Sequence, residues 1–136
     1  MQSAVNRQVE GSSPSTPAKY ILTYKRMVKN MYTYKAKVTK IVDGDTIDVD
    51  IDLGFYIRVT KRIRFSFINA PERYTDAGKQ ATSFLNSTIP VGSFVIIKTE
   101  IDKADKYGRV LAEIFTDENS ISVNKTMIEK GYAEYY

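Results

Sequence analysis

From Thr46 to Phe67 the chain alternates apolar and polar side chains, and this period of two restricts the fold more than any other feature. Ile47, Val49, Ile51 and Leu53 alternate with Asp48, Asp50 and Asp52; past a turn at Gly54, Ile57, Val59, Ile63, Phe65 and Phe67 alternate with Arg58, Thr60, Arg62, Arg64 and Ser66. Successive side chains of a strand point to opposite faces, so each run reads as a half-buried strand with a polar stripe toward water. The first stripe is acidic and the second cationic. Arg58 and Arg62 are expected to form surface ion pairs, and Lys61 breaks the alternation.

The remaining pattern supplies the other walls of a small domain. Lys35 to Val42, Phe94 to Thr99 and Val110 to Phe115 read as strands. Between them Pro71 interrupts the extended pattern, because it lacks an amide donor and fixes its own φ. From Thr75, Ala77, Ala81, Phe84 and Leu85 fall on one helical face that ends before Pro90. A last helix should start at Ser122 as N-cap and stop at Gly131. Three strands, a helix, two strands and a helix predict a mainly β domain with appended helices. Closing five short strands into an oligonucleotide-binding (OB-fold) barrel removes edges that would otherwise aggregate.

Composition excludes much chemistry. The 136 residues contain no Cys and no His, so thiol catalysis, zinc fingers and His-based acid-base chemistry are ruled out. Catalysis would have to use carboxylates, Arg, Lys, Tyr or a metal held by oxygen. The net charge of +4 lies entirely in residues 1–30, where Arg7, Lys19, Lys25, Arg26 and Lys29 face Glu10 alone; the remainder holds 15 basic and 15 acidic side chains. Residues 1–30 are expected to be a disordered basic tail, since residues 2–18 are Ser- and Pro-rich without periodicity. VEGSSPSTPA can be back-translated to a string resembling an arm of a tRNA gene, which makes an artefactual upstream extension the expectation, with the true start at Met27 or Met31. The domain proper is then 31–136. No apolar run approaches the ~20 residues that span a bilayer, and no signal segment is evident, so a soluble cytoplasmic protein is expected.

Three motifs carry the chemistry: DGDT at 43–46, RIRFSFINAPE at 62–72 and DKYGR at 105–109. Asp-Gly by itself is an ordinary hairpin signal, with Gly44 expected to supply the bend. Taken together and in this order, the motifs resemble the staphylococcal nuclease (thermonuclease) family, as does SVNKTMIEKGYA at 122–133. The resemblance implies a Ca²⁺-dependent phosphodiesterase that cuts DNA or RNA and leaves 3′-phosphate ends. It implies Asp45 as metal carboxylate with Asp43 behind it, Arg64 and Arg109 as phosphate-binding arginines, and Glu72 as the residue acting on the attacking water. Ca²⁺ takes oxygen ligands only, which suits a chain without His or Cys. Lys106 and Tyr107 match positions that contact nucleotide. The family's last helix is expected to be short or missing here, with either Tyr135 and Tyr136 substituting or the reading frame truncated.

The sequence departs from the family at one important place. Where many relatives carry Asp five residues after the strand Arg, this chain has Asn69, expected as a metal ligand through a neutral oxygen; Ala70 would still offer a backbone carbonyl to the metal. At ~4 Å and an effective dielectric of ~20, one missing charge is worth about 4 kcal/mol before desolvation offsets much of it. Weaker Ca²⁺ binding or a changed metal preference follows as an expectation. The alternative reading is a barrel that binds nucleic acid or a protein partner without cutting. A monomer is expected in either case.

Overall fold

The computed structural model describes residues 17–23, 32–104 and 108–136, the side chains of 101–104 excepted. The chain divides into two units, Met1–Met31 and Tyr32–Tyr136. In the first, the Pro17 carbonyl accepts from the amides of Tyr20 and Ile21 and opens a short helix, α1, at residues 18–23. The expectation of a wholly unstructured tail is corrected to that extent. Its other residues, 1–16 and 24–31, including Met27 and Met31, lie outside the described residues.

The second unit is built from β1 (Thr33–Asp43), β2 (Thr46–Asp52), β3 (Arg58–Phe65), β4 (Ile68–Asn69), α2 (Asp76–Thr88), β5 (Phe94–Ala104), β6 (Val110–Phe115), α3 (Val123–Glu129) and β7 (Glu134–Tyr135). Five strands close into a barrel, as expected, and their order is β1-β2-β3-β6-β5. Four neighbouring pairs are antiparallel; closure is made by β3 and β6 running parallel over Ile63 to Phe65. The long strand β1 serves both neighbours. Its first half pairs with β5 and Lys35 to Asp43 with β2, and two register shifts after Val38 and Ile41 bend it around the barrel.

Inside, Val38, Ile47, Val49, Ile63, Phe65, Ile97 and Ile114 are fully buried, and Leu85 and Met127 plug the barrel from the helices. Thr75 caps α2 by accepting from the Gly78 amide, and Ser122 caps α3 by accepting from that of Lys125. Gly131, at φ 80°, ends the last helix as expected, with the Tyr132 amide returning to the Met127 carbonyl at 2.9 Å. One helical expectation needs correction. Ala77 is exposed, and the buried face of α2 consists of Gly78, Ala81 and Leu85. A Cβ at Gly78 would run into the Glu72 carbonyl oxygen, so the glycine lets the helix press against the chain that carries Glu72. Of the described residues, no helix is long and apolar enough to cross a membrane.

Candidate active site

The DGDT turn closes the β1–β2 hairpin, with Asp43 paired to Thr46. Gly44 lies in that turn, as expected, without the left-handed conformation adopted by Gly54, Gly92, Gly108 and Gly131. It also supplies space: a Cβ there would lie 2.8 Å from the Cβ atoms of both Ala70 and Ala81. Contacts this close would force a shift, so Gly44 lets the first motif, the second motif and α2 meet.

Asp45 is thereby buried, with only 8% of its surface exposed. Its Oδ1 accepts from the Thr46 hydroxyl at 3.0 Å and its Oδ2 from the Ala70 amide at 2.9 Å. Its own carbonyl accepts from the Phe65 amide, which ties the turn to β3. Arg64 reaches the same Oδ2 at 3.5 Å and is itself 9% exposed. Arg64 Nη1 donates to the carbonyls of Phe65 at 2.7 Å and Ile68 at 2.8 Å, and Nη2 donates to Asn69 Oδ1 at 3.3 Å. The guanidinium is thus fixed by backbone acceptors before any ligand arrives. Tyr136 lies against it, with the Arg64 Cζ 5.7 Å from the ring centroid. The tyrosine is placed by the β4–β7 pairing and by its amide, which donates to the Phe67 carbonyl at 3.0 Å.

These residues wall a cleft of about 680 Å³ that also includes Asp43, Asn69, Ala70, Glu72 and Arg109. Every described residue expected at the site therefore borders one cavity, from four separate stretches of chain. Glu72 is exposed at its rim, in a turn where its carbonyl accepts from the Thr75 hydroxyl and amide. Lys106 and Tyr107 lie outside the described residues. Burial, together with the hydrogen bond and the like charge of Asp45, pushes the Asp43 carboxyl up to about 6. Two carboxylates this close are costly to ionise together, and a cation between them would relieve that cost.

The donor set fits a hard cation: Asp45, Asp43 and the Ala70 carbonyl all offer oxygen. Asn69 is exposed, and its amide oxygen is turned toward Arg64. Among the described residues no group of three or more Asp or Glu side chains comes together.

Three contributors escaped the sequence reading. Thr46 contacts Asp45 as described above, and Glu100 borders the cleft while accepting from the Ser66 hydroxyl at 2.8 Å. Asn124, fully buried on α3, accepts from the Ile114 amide and donates to the Ser66 and Ala112 carbonyls, pinning the helix to β3 and β6. A polar residue within the apolar face of that helix was the signal for the last.

Comparison with known proteins agrees with this geometry. Residues 62–136 match the model of the staphylococcal nuclease homologue family. The chain is 32% identical to an uncharacterised protein of Bacillus anthracis over 97% of its own length, 33% identical to endonuclease YhcR of Bacillus subtilis over 76%, and 32% identical to an uncharacterised endonuclease of Escherichia coli over 74%. It spans 60% of the first and third of these relatives and 9% of the second. With more than half its length matched and the barrel and its cleft in place, the chain belongs to the staphylococcal nuclease homologue family.

Proposed function

We propose that this protein is a nuclease that hydrolyses phosphodiester bonds of DNA or RNA with the help of Ca²⁺. The observation that carries this reading is the convergence of Asp45, Arg64, Glu72 and Arg109 on one cleft. Asp45 would hold the metal, together with the Ala70 carbonyl and with Asp43 adjacent; Asn69 joins them only if its oxygen turns from Arg64. When bound, Ca²⁺ supplies positive charge beside the phosphate. Glu72, at the solvent rim, orients a water and accepts its proton as the water oxygen attacks phosphorus. As that bond forms, the opposite P–O5′ bond breaks; the 5′ oxygen takes up a proton, and the phosphate remains on the 3′ side. Arg64 and Arg109 stabilise the charge that grows on the five-coordinate phosphate. Because its guanidinium is already fixed by two carbonyls, Arg64 needs little reorganisation as that charge develops.

The test is digestion of single-stranded DNA by the full chain, with Ca²⁺ or with chelator, in wild type and in Glu72→Ala. Cleavage that requires Ca²⁺ and falls in the variant supports the reading. Cleavage indifferent to both overturns the mechanism, and binding without cleavage favours the non-cutting barrel.

A further inference from the structure

Beside the cleft just described lies a second one of about 610 Å³, and the two share Asp43 and Arg109 in their walls. Val42, Thr46, Gly108 and, from β3, Lys61 and Arg62 line the remainder of it. The second cleft exists because β3 outruns β6. Their parallel pairing covers only Ile63 to Phe65, so residues 58–62 have β2 on one side and, among the described residues, no strand on the other.

Lys61 sits opposite Val49, at a register position between Val59 and Ile63 where the alternation calls for an apolar side chain. It is exposed rather than buried. A lysine on a free edge also discourages pairing with other sheets, which would account for its charge alone. It does not account for the location, at the border of a cleft continuous with the active site. Arg62 next to it is occupied by Asp48, through contacts of 2.7 and 3.0 Å, whereas Lys61 has no ion pair among the described residues.

We propose that the second cleft is a subsite for a backbone phosphate of single-stranded nucleic acid, with Lys61 as its electrostatic contact. This rests on reading the first cleft as the cleavage centre. A strand with one phosphate between Arg64 and Arg109 must carry its next phosphate outward, and the wall shared at Arg109 leads to Lys61. The subsite makes the protein a reader of polymer chains: it adds affinity for oligonucleotides and none for a dinucleotide.

The experiment compares an oligothymidylate of about 20 nucleotides with the dinucleotide TpT, using the full chain with Ca²⁺ at several salt concentrations. Lys61→Ala is expected to lower kcat/KM on the long probe roughly two- to fivefold through KM, the range for one exposed charge contact. The long-to-short ratio falls with it, the salt dependence of log KM flattens by about 0.7, and Lys61→Arg restores all three. Equal loss on both probes, or no loss on either, overturns the subsite. If wild type cleaves neither probe, the nuclease reading fails by itself. Fluorescence anisotropy of the labelled long probe then decides the subsite: a weaker Kd with a flatter salt slope in Lys61→Ala supports it, and an unchanged Kd overturns it.

Discussion

Strand β3 carries Arg58 and Arg62 at one end and Arg64 at the other, all on the outward face of the barrel, yet the two ends behave differently. Arg58 and Arg62 reach across to Asp50 and Asp48 at 2.9 and 2.7 Å, in water. Arg64, two residues further on, is buried beneath the 68–72 segment and Tyr136, and its donors go to two carbonyls, an amide oxygen and a buried carboxylate. Residue type and strand face are the same. What differs is what the rest of the chain lays over them. An exposed ion pair in high dielectric contributes little, whereas a buried, pre-oriented charge acts strongly on a ligand and is costly to lose.

Substitutions can break or sharpen this contrast. Arg64→Ala should have the largest effect: kcat on single-stranded DNA falls ~10³-fold, and stability to urea falls by about 3 kcal/mol, because Asp45 loses its buried partner and two carbonyls lose their donor. Glu72→Ala should lower kcat about 10²-fold with the urea midpoint unchanged, since the side chain is at the rim and acts in chemistry alone. Gly44→Ala, which forces a methyl against Ala70 and Ala81, should cost roughly 1–3 kcal/mol and reduce activity as the first motif is pushed off the second. Asn69→Asp should lower the Ca²⁺ concentration needed for half-maximal activity several-fold; a Ca²⁺ titration showing an unchanged or poorer requirement would sink the view that Asn69 weakens the metal site.

At the exposed end the expected effects are smallest. Arg58→Ala should leave cleavage and melting temperature nearly unchanged. The hydrogen bond and charge of Arg62 hold the Asp48 carboxyl below its ordinary value of 3.8. Its folded pKa being the lower one, the pair's small stabilisation is complete above the ordinary value and is lost as pH falls through the lowered one. Melting curves of Asp48→Asn against wild type should therefore differ slightly at neutral pH and converge in strong acid. A large drop for either exposed variant would erase the contrast along β3.

Most of the barrel was legible because period-two alternation is a local property, visible in DIDVDID and RVTKRIRF without knowledge of partners. The helix cap at Ser122 and the stop at Gly131 were legible for the same reason: each is satisfied within a few residues of sequence. The buried face of α2 was misread by one position. Ala77 fits an apolar stripe as well as Gly78 does, and only the approach of the Glu72 carbonyl decides between them. The β4–β7 pair escaped notice because two residues carry no periodicity, and its partners stand far apart in the sequence, β4 in mid-domain and β7 near its end.

By itself the sequence determined that this chain makes a small closed barrel with capped helices, without thiol or imidazole chemistry, and its family resemblance pointed to Asp45, Arg64, Glu72 and Arg109 as the residues to watch. Strand pattern and capping depend on near neighbours, so they can be read in order along the chain. Tertiary structure alone decided that Arg64 is buried while Arg62 is not, that Gly44 serves packing as well as the turn, that Asn69 turns its oxygen to Arg64, and that Lys61 borders a second cleft. Each of these depends on which distant segment comes to rest against the residue, and burial and charge are set by that neighbour rather than by the residue's place in the sequence.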